Sequence, residues 1–443
     1  MALMFNFSSS VFYLIYHFGK LVYRALPMKK STKLKIAAKI VPFLYKFYPR
    51  GRASSNFISD PMPYDVFRDA DASHTLQDML FPESLETAKR VMIILVPYYN
   101  VMSGGIYSMF SIATQAKRMK SQHGWEIVVM TLPNSGGVTY IRNRHFINNI
   151  DVFRFSQISR LKNAEELYIH LPELAASSFL SDLNRDEVLF IDSMRSVYVN
   201  ILNQNIKLMP PAEDLVSIKR KFPNIGQSVA HHAYFGLDFA KKYRLNTMLL
   251  PAYTDLSDYI PLPLEKKEKL IIYSPDDAPY KSDCLSLLKS KLPDFSFVEI
   301  KDITFDKFMD YASRCLFSIT FGEGMDGYFS QPILQGGIGL ALYNEDFFPS
   351  PEFLECYNIF DRQDTLIREI VPRIKELLSD SQLYESLNAR LKSMHDMYYS
   401  REEYILRIDN LCQRKYDIAY NELNDTAEWN SDTINTNDHG LYS

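Results

Sequence analysis

The sequence predicts an α/β protein built as two Rossmann-like, doubly wound halves facing a cleft, preceded by amphipathic helices. Three observations carry this. Near-continuous apolar runs of strand length recur from about residue 90, as buried parallel strands require. Glycine breaks and helix-period segments alternate with them. After Asp258 the stretch IPLPLEKKEK, with Pro261 and Pro263, reads as a linker, and the alternation then restarts. At 443 residues, 47% hydrophobic and 14% aromatic, the chain has material for two cores. The expected organisation is 1–59 basic membrane-proximal helices, 60–262 a first Rossmann-like domain, 263–423 a second domain with closing helices, and 424–443 a disordered acidic tail.

The N-terminal segment SVFYLIYHFGKLVYRAL places Val11, Leu14, Ile15, Phe18, Leu21 and Val22 on one face and His17, Lys20 and Arg24 on the other. A second segment, STKLKIAAKIVPFLYKFYPR, repeats the theme and breaks at Pro42. Residues 1–59 hold ten Lys or Arg and no Asp or Glu. The apolar runs are well under the roughly 20 residues that cross a bilayer, and the positive charge follows the first run, unlike a secretory signal. Two readings stand: helices lying on an anionic cytoplasmic membrane surface, or helices packed on the protein's own body. At the other end, 424–443 carries four acids and no Lys or Arg.

In the first half, RVMIILVPYYN, WEIVVMTLP, IDVFRFS and EVLFIDS read as strands. Between the first two lies GGIYSMFSIATQAKRM, with Ile106, Met109, Phe110 and Ala113 on one helical face, completing a β-α-β unit. Gly104 and Gly105 open that helix. They either let a diphosphate approach the backbone amides or simply make a tight turn. Asp192 would end the strand EVLFIDS at the cleft. His231 and His232, in QSVAHHAYFGLDFAKKY, form a pair of which one, His232, is a candidate base or hydroxyl ligand.

The second half reads KLIIYSP, FSFVEI, LFSIT and IGLALYN as strands, with charged helices from about Asp364 to Leu423. Its most informative stretch is LFSITFGEGMDGYFSQPILQGGIGLALYN, residues 316–344. Gly322 and Gly324 flank Glu323 directly after a strand, and Pro332 sits in an early turn of the helix that follows. An acid at a strand tip either caps its helix or binds ligand hydroxyls.

Net charge is −4, so nothing global marks a nucleic-acid binder. Four cysteines without a CxxC pair give no zinc or disulfide framework and fit a reducing cytoplasm. HExxH, GxSxG and Walker loops are absent, and no metal or cofactor is expected.

The stretch around Glu323 resembles the nucleotide-sugar site of GT-B glycosyltransferases, especially the retaining families that build bacterial lipopolysaccharide and capsule. Those families carry a Glu-x7-Glu motif, then a helix, a small-residue break and a strand. The resemblance covers about residues 90–400 and is most specific over 268–390. It implies that Glu323 lies near the transferred sugar and that Gln331, in place of the second acid, holds ribose hydroxyls. A neutral amide binds a diol less strongly than a carboxylate. Gly104 and Gly105 would lie beside the donor phosphates, and Lys281, in YSPDDAPYK, would bind the diphosphate. The implied partners are a nucleotide sugar, a lipid-linked saccharide acceptor and the anionic inner membrane surface. A catalytically silent glycan-binding or assembly scaffold is the rival, favoured by Gln331. A nucleotide-sugar epimerase on the same architecture is a third possibility.

Overall fold

A computed structural model describes residues 77–78, 80–99, 102–133 and 150–430. The expected N-terminal helices, Asn100 and residues 431–443 lie outside them. Fourteen strands are described: β1 (Arg90–Val96), β2 (Glu126–Thr131), β3 (Val152–Phe153), β4 (Glu166–Pro172), β5 (Ser196–Asn203), β6 (Ile225–Val229), β7 (Asn246–Leu249), β8 (Glu268–Tyr273), β9 (Ser296–Glu299), β10 (Cys315–Thr320), β11 (Ile338–Leu342), β12 (Ile359–Phe360), β13 (Ile418–Asn421) and β14 (Thr426–Trp429). The described chain forms two compact units. The first ends its main segment at Leu171 and adds Ala175–Val199 and Ser217–Asn224. The second takes Pro172–Leu174, Asn200–Val216 and the described chain from Ile225.

In the first unit the strands lie in the order β3-β2-β1-β4, and β1 pairs parallel with both β2 and β4. β1 and β2 are buried along almost their whole length, which is why they read as unbroken apolar runs. The helix Gly104–Arg118 returns the chain from β1 to β2 and buries Ile106, Met109, Phe110 and Ala113, the face expected from their spacing.

Two strand readings need correction here. EVLFIDS belongs to a helix, Arg185–Asp192. Asn184 caps it, accepting the Asp186 and Glu187 amides at 2.9 and 3.0 Å, while the Glu187 side chain takes the Asn184 N–H at 2.9 Å. That reciprocal cap fixes a helical start, and it overrides the apolar run that follows. IDVFRFS contributes only the two residues of β3 before a 3-10 turn at Phe155–Arg160. β4 to β7 do not stand out in the sequence, because their runs are short or interrupted by polar residues such as His170, Asn200, Gln227 and Thr247, all fully buried.

The second unit holds β6 and β7, which pair parallel, and the β13–β14 hairpin, which adds antiparallel. The tail expected to be disordered from 424 therefore begins with a paired strand. Alternating Thr426–Trp429 meets Ile418–Asn421 residue for residue, and Trp429 packs edge-on against Phe235 at 5.7 Å. The same unit contains the whole of a five-stranded sheet, ordered β12-β11-β10-β8-β9 and parallel throughout. This sheet grows one way from β8 to β9 and the other way from β10 onward. The order reverses between β8 and β10, and loops leaving the carboxyl ends of those two strands flank the place where open α/β sheets bind ligands. Helices Lys281–Lys291, Gln363–Ser379 and Ser381–Tyr398 enclose it around a core that includes Phe317, Phe329, Leu366 and Tyr384.

The α/β class with parallel sheets and covering helices is as expected from the sequence. Among the described residues no helix is long and apolar enough to cross a membrane.

Candidate functional site

The site is built from the loops that leave β8 and β10. All six residues of β10 are buried, and the chain emerges at Phe321, whose N–H donates to the Ser274 hydroxyl at 2.9 Å. This bond joins the two loops at the reversal point. Gly322 then passes so close to Asp276 that a Cβ there would lie 2.7 Å from the carboxyl carbon. Gly324 adopts φ +92°, and a Cβ there would sit 2.6 Å from the Phe348 ring. Gly324 is thus required by the fold, whereas a side chain at 322 would have to displace the Asp276 carboxyl. Between them the half-buried Glu323 directs Oε1 to the Asn205 side-chain amide, 3.0 Å away.

Glu323 does not cap the helix that follows. Asp326 does: it accepts the Phe329 N–H at 3.0 Å and a hydrogen bond from the Thr320 hydroxyl. With the capping role taken, the Glu323 carboxyl is left for another purpose.

Acids dominate the electrostatics. Burial, and then the charge of Asp276, push the Glu323 carboxyl above its ordinary range, while Lys207 and the Asn205 amide pull the other way. Asp326 is pushed up to about 7, chiefly by burial, with Glu323 and Asp276 adding to it. Glu173, 2% exposed, is also raised to about 7 by burial, although its Oε1 accepts the Asn205 backbone N–H at 3.0 Å. Clusters of carboxyls held above their ordinary range are a mark of functional sites.

The linkage has a definite sign. Glu173 moves from 4.5 unfolded to about 7 folded, so between those values the folded chain binds more protons and stability falls as pH rises. By pH 8 this takes away about 3 kcal/mol at Glu173 and, with the move from 3.8 to about 7, about 4 kcal/mol at Asp326. Chemical denaturation of the wild type is expected to show stability declining from pH 5 to pH 8. Glu173→Gln and Asp326→Asn should each flatten that slope; a slope unchanged in both variants would show that neither carboxyl is held in its neutral form.

The remaining predicted residues are placed as follows. Gln331, 8% exposed, folds its side chain back along the helix Gly327–Leu334, where a Cβ on Gly327 would lie 2.6 Å from its Oε1. Its Nε2 donates weakly to the Thr254 hydroxyl at 3.4 Å, and its Oε1 is buried without a partner. Lys281 is the first residue of its helix; its ammonium donates to the carbonyls of Ser274 and Asp276 at 3.1 and 2.9 Å and to Glu299 at 3.1 Å. Those three bonds fasten the β8 loop, and they engage every donor the ammonium has. His232 is buried between the rings of Tyr398 and Tyr399, at 5.2 and 5.3 Å, and burial lowers it to about 3. His231 instead lies beside Tyr234.

Asp192 and the first glycine pair belong to the other unit. Asp192 ends a helix, not a strand, and forms an exposed ion pair with Lys221. Gly104 and Gly105 open the helix after β1, the strand at which that unit's order reverses. Ser103 supplies no side-chain cap, and a Cβ on Gly104 would meet nothing within 4 Å. Packing therefore does not demand glycine at 104.

Glu173, Asn205, Tyr234, Asp276 and Asp326 went unrecognised in the sequence. Asp276 lies in YSPDDAPYK, where the lysine is the more obvious diphosphate ligand. Asp326 lies three residues after Glu323, at a spacing from Phe329 that suits an N-cap.

No protein-family model matches the chain, and no curated protein matches it. Solved structures resemble it distantly. A glycosyltransferase from Rickettsia africae ESF-5 aligns with TM-score 0.47 at 9% identity, over 74% of this chain and 98% of its own. The DNA-modifying enzyme β-glucosyltransferase, determined with and without its substrate uridine diphosphoglucose, aligns with TM-score 0.42 at 13% identity, over 73% and 98%. UDP-GlcNAc 2-epimerase from Neisseria meningitidis, bound to UDP-GlcNAc, aligns with TM-score 0.38 at 10% identity, over 73% and 100%.

Proposed function

We propose that this chain is a GT-B glycosyltransferase that moves a sugar from a nucleotide diphosphate donor to a lipid-linked saccharide in bacterial surface polysaccharide synthesis. One observation carries the reading. Glu323 stands on a Gly-Glu-Gly loop at the β8/β10 reversal, freed from helix capping, at the position of the first acid in the motif that its surroundings resemble.

In this reading the bond from the anomeric carbon to the diphosphate breaks and its electron pair leaves with the diphosphate. An acceptor hydroxyl oxygen bonds to the same carbon, and its proton passes to the departing diphosphate. Glu323 orients the donor sugar, and Gln331 offers its unpartnered Oε1 to the nucleotide ribose. The first turn of the helix Lys281–Lys291, which has no side-chain cap, offers backbone N–H groups to the diphosphate. The acid-free basic segment 1–59 would hold the enzyme on the anionic inner membrane surface where a lipid-linked acceptor resides.

A second reading, a catalytically silent glycan-binding or assembly scaffold, is favoured by Lys281 and Gln331. The lysine's donors are all engaged within the protein, and the amide replaces an acid. Titration calorimetry separates the two. The enzyme is expected to bind at least one of UDP, GDP, ADP and CDP with a dissociation constant between about 1 μM and 1 mM. No heat from any of them at millimolar concentration would overturn the transferase and leave the scaffold.

A further inference from the structure

Several polar atoms beside Glu323 have no partner in the fold. Glu173 is almost fully buried, yet only Oε1 is satisfied; Oε2 has no hydrogen-bond partner. The Tyr234 hydroxyl is buried and likewise unpartnered, and the charges of both Glu173 and Glu323 reach it. The His231 ring lies 5.7 Å from the Tyr234 ring and 5.2 Å from Phe347, with Nδ1 buried and unpartnered. Asn205 ties the group together: its backbone N–H donates to Glu173 and its side chain to Glu323, both at 3.0 Å. Native folds rarely leave buried polar atoms unsatisfied, and several in one place call for a ligand or trapped solvent.

The chemistry of the set selects the ligand. A carboxyl oxygen accepts, a phenol donates and an imidazole nitrogen serves a second hydroxyl. Two carboxyls, Glu173 and Glu323, would repel a phosphate. A neutral polyol meets no such repulsion.

We propose that Glu173, Asn205, His231 and Tyr234 form a carbohydrate subsite beside Glu323, where one sugar hydroxyl shares hydrogen bonds with Glu173 Oε2 and the Tyr234 hydroxyl. The subsite deepens the sugar-transfer reading and rests on it for the identity of the sugar as substrate. A site built to bond a hydroxyl discriminates strongly, because its buried groups are left unpaired when the hydroxyl is missing.

Saturation-transfer NMR on the full chain tests this with methyl glycosides of glucose, galactose and N-acetylglucosamine, and with UDP-glucose and UDP-N-acetylglucosamine. Saturation of sugar ring protons is expected for at least one probe. Its dissociation constant should rise about tenfold in both Tyr234→Phe and Glu173→Gln. If one variant fails to fold, the other decides. Saturation confined to nucleobase protons would overturn the subsite and leave the donor reading standing. Binding of a free glycoside, weakened in the variants and without any nucleotide binding, would keep the subsite and remove the donor reading. Sugar binding unchanged in a folded variant, or absent from every probe, would overturn the subsite and assign the unpaired atoms to solvent.

Discussion

Replacing Glu323 with alanine is expected to lower sugar transfer about 100- to 1,000-fold, the loss typical of removing one well-placed electrostatic group from an active site. The same substitution should leave the protein no less stable at pH 8. The reason lies in the direction of its ionisation. Burial and Asp276 hold the carboxyl above its ordinary range, so the charged form is disfavoured by the fold. Removing it relieves repulsion with Asp276 and Asp326 at the cost of one hydrogen bond from Asn205, about 1 kcal/mol. A residue kept for stability would show the opposite pattern. Glu323→Gln sharpens the test, since its amide oxygen can still accept from Asn205 while the charge is gone. Transfer measured across a panel of nucleotide sugars, alongside melting temperature, checks both halves. Wild-type turnover in Glu323→Ala would remove the site assignment, and a large drop in melting temperature would reassign the residue to the fold.

The strand, glycine turn and acid at 316–324 were legible because each follows a local rule. A six-residue, mostly apolar run makes a buried strand, and glycines mark where the backbone crowds Asp276 and Phe348. The helix at Arg185–Asp192 carries a local signal too, since Asn184 and Glu187 have the spacing of a capping box, but the apolar run Val188–Ile191 equally suits a strand. Glu173 and Asn205 were beyond local rules. Asn205 meets Glu323 across 118 positions of chain, and nothing around it in NQNIK marks a ligand-facing amide. Glu173 follows β4, a strand that itself leaves little signal in the sequence. Its partner is a backbone N–H, which every residue type supplies. Lys281 shows a different limit. Its position after β8 follows from the strand pattern, but its engagement depends on carbonyls that turn inward in the loop it helps to fold.

Arg407→Met is expected to destabilise the second unit by about 3–5 kcal/mol near neutral pH, the usual result of removing one member of a buried ion pair. Arg407 and Asp417 are each 4% exposed. The guanidinium donates to Asp417 Oδ1 at 2.6 Å and to Glu403 at 2.5 Å, and the other Asp417 oxygen accepts the Leu249 N–H at 2.7 Å. That last bond holds the end of β7 at the place where β13 joins it, with Ile418 opposite Thr247. Even with these partners, burial keeps the Asp417 carboxyl above its ordinary range. Without Arg407 the charge would have only the Leu249 amide left among these partners, with Glu403 repelling it. Two consequences separate this account from simple loss of packing. The deficit should shrink as pH falls and Asp417 becomes neutral, since a neutral carboxyl needs no counter-charge. Arg407→Met combined with Asp417→Asn should recover most of the lost stability, because the asparagine oxygen still accepts from Leu249. Arg407 also opposes protonation of His232, so the pair reaches from the β7–β13 junction toward the buried histidine. Denaturant titrations of the three proteins at pH 5 and pH 8 decide the matter. A single variant within 1 kcal/mol of wild type at pH 8, or a double variant no better than the single, would show that the pair's charge is not what stabilises this junction.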